Sequence, residues 1–170
     1  MNKALREPFN KLDQAWRAFT DAKASVEQLR RDATAARAER ERLLATDKLD
    51  PYSDTDVLSL TILDNRTALL TAKADRIEGR LPDLRLEARA EAMRAAGALD
   101  DLLRAQAEAH HDEVATKMAK AMDLPPDEAT RAALEVSTVQ ALYKRAAHVA
   151  SSLFQRDSAP DVLAAMKETA

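Results

Sequence analysis

Glycine is nearly absent from this chain: Gly79 and Gly97 are the only two among 170 residues. Antiparallel strands are commonly joined by tight turns that need glycine, and a phosphate-binding loop needs several glycines close together. A multi-stranded sheet and a glycine-rich nucleotide loop are therefore excluded. The chain also lacks cysteine, which excludes disulfides, thiolate nucleophiles and cysteine-ligated metal sites. Charged residues make up 32% of a sequence rich in alanine and leucine, a composition typical of long helices and coiled coils.

Apolar residues recur at alternating steps of three and four along most of the sequence, which predicts helices rather than strands. Prolines and aspartates interrupt this spacing near residues 47–54, 124–126 and 157–160, and they mark the loops. Ser53 or Asp54 is placed to cap the second helix. The predicted helices cover about residues 8–46, 55–122, 127–155 and 160–168.

The second predicted helix contains the longest heptad repeat, which runs from Leu60 to Leu102. Gly79 and Pro82 fall inside this repeat without changing its phase. A loop has no reason to preserve that phase, so we expect one helix with a kink near residues 79–82. The alternative is a helix that ends near Glu78 and restarts at Pro82.

Short loops place consecutive helices antiparallel to each other. The predicted fold class is therefore all-α, with long antiparallel coiled-coil hairpins around a central spine helix, in one elongated domain over residues 1–170. Two of the other helices would end against residues 88–98, where small side chains around Gly97 allow close approach and where Leu153 and Phe154 would supply bulk. The alternative is a compact four- or five-helix bundle broken at Pro82.

Six large aliphatic residues lie beside the main seam of the spine helix, and two covering helices cannot bury them all. An apolar patch of that size is unusual on a monomer in water. We therefore expect self-association, most simply as a two-fold homodimer. The residues are Leu58, Ile62, Leu69, Leu86, Leu99 and Leu103.

Glu108 and His111 have the Glu-x-x-His spacing that places two metal ligands on one face of a helix. A di-iron bundle needs two such motifs and two further carboxylates, and His148 has no partner at that spacing. We interpret the region around His110 and His111 as a solvated helix face. The sequence thus predicts no cofactor, no metal site and no catalytic residue.

The first helix is the most basic part of the chain, because residues 1–46 hold ten Lys or Arg against seven Asp or Glu. Acidic residues are interleaved with its arginines, and no aromatic residue lies among them to stack on bases. A solvated, salt-bridged face is the favoured interpretation, and nucleic-acid binding is the alternative. The candidate phosphate contacts are Arg30, Arg31, Arg37, Arg40 and Arg42.

Aromatic residues are concentrated near the N-terminus, and an apolar stripe recurs in the short C-terminal helix. Packing in the core is the favoured interpretation of both. The alternative is docking on a partner protein, since aromatic anchors dominate binding energy at interfaces and amphipathic helices dock in grooves. The candidate partner-binding residues are Leu5, Phe9, Trp16, Phe19, Val162, Leu163 and Met166.

Taken together, these patterns predict a non-catalytic coiled-coil interaction protein: an adaptor, assembly factor or structural subunit that docks a partner protein and associates with itself. Two alternatives are a nucleic-acid-associated protein that uses the arginines of the first helix, and a metal-dependent helical-bundle enzyme. The net charge of −3 gives no long-range attraction to nucleic acid or to an anionic membrane. No signal peptide or membrane-spanning run is visible, so a cytoplasmic location without membrane contact is expected.

Overall fold

In the computed structural model of the chain, the described residues are 3–45, 53–156 and 159–169, with the side chains of residues 149–150 and 152–156 outside the description. Within these ranges the chain is helical and contains no strand, which confirms the predicted all-α class. The six helices are α1 (Lys3–Leu44), α2 (Asp54–Glu78), α3 (Leu81–Met122), α4 (Pro126–Leu134), α5 (Ser137–Arg156) and α6 (Ala159–Glu168).

Helix α1 begins at Lys3, five residues before the predicted start, and therefore contains Pro8. Pro8 is the sixth residue of α1, past the first turn, and its ring nitrogen has no hydrogen to donate to the helix. Leu5 in this extra turn is fully buried. Its burial stabilises the turn that the proline alone would disfavour. The Asp50–Pro51 turn predicted after α1 lies outside the described residues.

The junction of α2 and α3 is a two-residue turn rather than the uninterrupted kinked helix that the heptad phase favoured. Gly79 has φ −58° and ψ −20°, so the backbone stays right-handed, and its N–H donates to the Asp75 carbonyl at 2.9 Å. The next donor, Arg80, shifts to the tighter bond to Ile77 at 3.0 Å. Pro82 has no N–H for the Glu78 carbonyl, so the regular ladder stops at Glu78.

The predicted helix over 127–155 is also divided, at Glu135 and Val136. The N–H groups of both residues bond three residues back, to Ala132 at 3.1 Å and Ala133 at 3.2 Å, which is the tighter pattern of a helix end. A polar and β-branched run follows from Ser137, and such residues favour a helix start over a helix interior. The division therefore reflects the helix preferences of these neighbouring residues, which the spacing of apolar residues does not report.

The C-terminus of α3 is closed by Asp123, which has a left-handed φ of 52°. The N–H of Leu124 reaches back to the Ala119 carbonyl at 3.3 Å, which is the long-range bond of a Schellman cap. Pro125 and Pro126 then prevent continuation, and α4 begins at Pro126. The predicted helix end at residue 122 is confirmed.

The chain forms two compact units. The first, here called the terminal unit, comprises Met1–Trp16 and Glu87–Ala170. Its core joins the start of α1, the middle of α3, and α5 and α6. Alanines of α3 face larger side chains from both ends of the chain. The buried residues of this core are Leu5, Leu12, Ala92, Ala95, Ala96, Leu99, Leu103, Ala146, Ala159, Val162, Leu163 and Met166.

The second unit, here called the hairpin unit, comprises Arg17–Leu86. Arg40 pairs with Asp64 at 2.6 Å, and Arg30 pairs with Glu78. Residue numbers thus rise along α1 as they fall along α2, so the two helices are antiparallel, as predicted. Small and branched residues from both helices are buried between them, namely Val26, Ala33, Ala36, Leu63 and Ala74.

Gly97 does not mark a close approach of two backbones. Apart from the chain neighbours and the backbone of its own helix, no atom of the described residues lies within 4 Å of the position that a Cβ would occupy at Gly97. Packing of other helices against the small residues of 88–98 is present, but it does not involve Gly97 itself, and the side chains of Leu153 and Phe154 lie outside the described residues. The alanines beside Gly97, rather than the glycine, make the contacts: Ala95 and Ala96 are almost fully buried.

We predict that Gly97→Ala stabilises the protein. The residue lies inside α3, where glycine costs about 0.5–1 kcal/mol relative to alanine, and the added methyl group enters open space. Urea unfolding followed by circular dichroism should show a gain of about that size. Ala96→Gly is the reverse control and should lose about 1 kcal/mol or more. A loss for Gly97→Ala would instead reveal a close neighbour at this position.

Candidate interaction surface

Helix α2 carries apolar residues on two opposite sides. One side packs against α1 and includes Leu63 and Ala74, which are almost fully buried. The other side has large side chains that remain in water: Leu58 is 59% exposed, Ile62 56% and Leu69 71%. The hairpin unit uses only the first side, so the second is an unpartnered apolar face.

The exposed side follows its own heptad spacing. Steps of three and four separate its members, so they form one stripe along about six helical turns. We call this stripe the outer seam. Its centre is polar, at Asn65, and its C-terminal end is basic, at Arg76. The outer seam consists of Thr55, Leu58, Ile62, Asn65, Leu69, Ala72 and Arg76.

The two edges of the outer seam differ in charge. One edge carries Arg66 and Lys73, and the other begins with Asp54 and ends with Asp75. All four residues are exposed, and no ion pair joins any of them to another described residue. A shallow, open hollow on this face is lined by Ile62, Leu69 and the basic edge. The surface therefore combines an apolar stripe, interrupted by Asn65, with charged residues along both edges.

The structure separates the six aliphatic residues that the sequence placed beside the main seam. Four are exposed, as expected: Leu58, Ile62, Leu69, and Leu86 at 61%. Leu99 and Leu103 are instead buried in the core of the terminal unit, so their predicted contribution to an exposed patch is wrong. The heptad spacing places Leu99 and Leu103 beside the main seam, but it does not show that they lie in a core shared with α1, α5 and α6.

Six of the seven candidate partner-binding residues belong to the core of the terminal unit or pack against it, in line with the interpretation that the sequence favoured. Exposure is zero for Leu5 and Met166, 1% for Val162 and 8% for Leu163. Phe9 and Trp16 are half-buried against the same core, and Phe19 is half-buried in α1. The ammonium group of Lys167 lies 5.8 Å from the centre of the Phe9 ring, which ties α6 to α1 further. The alternative of a free docking patch is therefore wrong for the four buried residues, Leu5, Val162, Leu163 and Met166.

The five arginines of α1 do not form one basic surface. Arg30 and Arg40 pair with Glu78 and Asp64 of α2, and Arg37 lies beside them in an open groove that Asp64 and Asp75 also line. Each cation in this groove thus has a carboxylate nearby.

The other two arginines lie on a different side of α1. Arg31 and Arg42 are eleven residues, about three turns, apart and are both exposed. Arg31 donates to Gln28 at 2.9 Å. The salt-bridged face that the sequence favoured is present for Arg30 and Arg40, and the five residues offer no continuous track for phosphates.

His111 is buried rather than solvated, which corrects the sequence interpretation. It is 9% exposed, and its Nε2 lies 3.0 Å from the carbonyl oxygen of Thr130 in α4. Its Nδ1 lies 3.3 Å from Asp112 Oδ1. The histidine thereby links α3 to α4. Among the described residues, no group of three or more His, Asp or Glu side chains is arranged to hold a metal ion.

Comparisons with family models, with curated proteins and with solved structures found no match to this chain. Among the helices in the described ranges, none has the length and apolar character needed to cross a membrane. The outer seam of α2 is the candidate functional surface of the described residues.

We predict that Met166→Ala destabilises the protein, because α6 belongs to the core. Truncating a fully buried methionine costs about 2–5 kcal/mol. Met122→Ala, at a methionine that is 60% exposed, is the matched control and should change the free energy of unfolding by less than about 0.5 kcal/mol. Equal, small effects of both substitutions in urea unfolding would mean that α6 is not part of the core.

Proposed function

We propose that this protein is a non-catalytic helical interaction protein that associates with itself and docks a partner protein, in the manner of an adaptor, assembly factor or structural subunit. The single observation that carries the proposal is the outer seam of α2. Three large aliphatic side chains, Leu58, Ile62 and Leu69, are more than half exposed on one stripe of a helix whose opposite side is already packed. Exposed apolar patches of this kind mark interaction sites.

The energetics favour an association of moderate strength. Burying the exposed part of a leucine or isoleucine contributes about 1–2 kcal/mol. Two copies that cover each other would bury six such side chains, for roughly 6–12 kcal/mol, against an association cost of at least about 4 kcal/mol. The difference of about 2–8 kcal/mol corresponds to dissociation constants from tens of millimolar down to about one micromolar, so a dimer at micromolar concentration requires the upper end of this range.

The remaining contacts of the protein support the same proposal. Leu5, Leu12, Val162, Leu163 and Met166 are already used in the core of the terminal unit, so these residues leave no second exposed stripe in the part of the unit that the structure describes. The arginines of α1 are distributed over two sides of the helix and are partly paired. An interaction through the outer seam therefore explains more of the exposed surface than phosphate binding does.

We predict that the protein is dimeric at micromolar concentration and that Leu69→Glu dissociates it. The substitution places a charge in the middle of the outer seam without touching a buried side, because Leu69 is 71% exposed. Sedimentation equilibrium between about 1 and 100 μM should give twice the chain mass of 18.7 kDa for the unmodified protein and a single mass for the variant.

Ala35→Glu on the exposed side of α1 is the matched control and should leave the dimer intact. Circular dichroism spectra should be the same for all three proteins, which separates loss of association from loss of fold. The melting temperature of Leu69→Glu should be lower, because self-association stabilises the folded state, and it should not depend on protein concentration. A chain that sediments as a monomer at all concentrations would refute self-association. A dimer that survives Leu69→Glu would place the association elsewhere.

A further inference from the structure

We propose that α4 opens from the terminal unit as a separate segment and that His111 is the latch that holds it closed on α3. A latch here means one side-chain contact whose loss releases a segment while the remaining core stays folded. This inference is independent of the outer seam. It rests on the breaks at both ends of α4, on the small side chains that α4 buries, and on its polar contact with α3.

Helix α4 is short and is separated from its neighbours along the chain at both ends. It has nine residues, Pro126–Leu134. The left-handed Asp123 and Pro125 precede it, and the tighter backbone bonds of Glu135 and Val136 follow it. An isolated helix of this length is marginal in water. Because no regular backbone ladder continues into α3 or α5, α4 depends on packing and on side-chain contacts.

The side chains that α4 buries are small. Ala129 is 1% exposed and Ala133 is fully buried, whereas Leu134, the largest apolar residue of α4, is 46% exposed. Alanine buries little apolar area, so these contacts contribute less stabilisation than the buried Leu163 and Met166 of α6 do. Apolar packing therefore holds α4 less firmly than it holds α6.

His111 supplies the polar contact between α3 and α4. Its Nε2 lies 3.0 Å from the carbonyl oxygen of Thr130. A carbonyl oxygen only accepts hydrogen bonds, so the imidazole carries a hydrogen on Nε2 and donates it to α4. Its Nδ1 faces Asp112 on its own helix and does not contribute to holding α4. Among the described side chains, no other hydrogen bond or ion pair joins α4 to another helix.

The burial of His111 makes this hydrogen bond effective. The residue is 9% exposed, so water competes little for the bond while α4 is docked. Opening of α4 breaks the bond and brings Ala129 and Ala133 into water. Proteins open locally in cooperative segments, and segments with few buried apolar contacts open most readily. The arrangement makes α4 such a segment, with its opening controlled by His111.

We predict that His111→Leu speeds hydrogen–deuterium exchange of the α4 amides at least about threefold, because the bond to Thr130 is lost and α4 opens more often. Amides in the middle of α3, around Leu99, should change by less than about twofold. His111→Gln keeps an amide donor near the position of Nε2 and should restore exchange in α4 to within about twofold of the unmodified chain. Mass spectrometry of peptic fragments from the full chain gives both rates.

His110→Leu is the matched control, because the nearest carboxylate to His110 is that of Glu113 on its own helix, at 4.0 Å. It should leave exchange in α4 unchanged. Unchanged or slower exchange in α4 of His111→Leu would overturn the inference. Equal acceleration in α4 and around Leu99, or loss of the helical circular dichroism, would also overturn it, since α4 would then open only with the whole unit. Fast exchange in His111→Gln would show that ring packing, rather than the hydrogen bond, holds α4, and would overturn the latch.

Discussion

Packing of large side chains against an alanine stripe is the interaction on which the terminal unit depends. Ala92, Ala95 and Ala96 each bury little area, so the stripe stabilises the fold only when bulkier residues from other helices cover it. Leu5 and Met166, from opposite ends of the chain, supply that bulk. Because Leu5 and Met166 are fully buried in this core, neither is free to bind anything else.

In the hairpin unit, by contrast, several large apolar residues stay exposed. Helix α2 has more apolar residues than one neighbouring helix can cover, and α1 takes the side with Leu63 and Ala74. The outer seam contains the apolar residues of α2 that α1 does not cover. In a chain with few aromatic residues and small core side chains, three aliphatic residues that are left in water represent a substantial part of the burial still available to the molecule. These exposed side chains are the observation on which the proposed self-association rests.

Much of the fold follows from local sequence, and most of the errors concern contacts between distant segments. The shortage of glycine and the apolar spacing gave the all-α class, and the prolines at 125 and 126 gave the end of α3, because these are effects of neighbouring residues. The burial of Leu5 and Leu99 depends on which helix lies across from each, and a single sequence does not contain that pairing. The same holds for the outer seam: its residues were recognised as lying beside the main seam, but Leu58 and Leu103 looked alike until the structure showed that one is exposed and the other is buried.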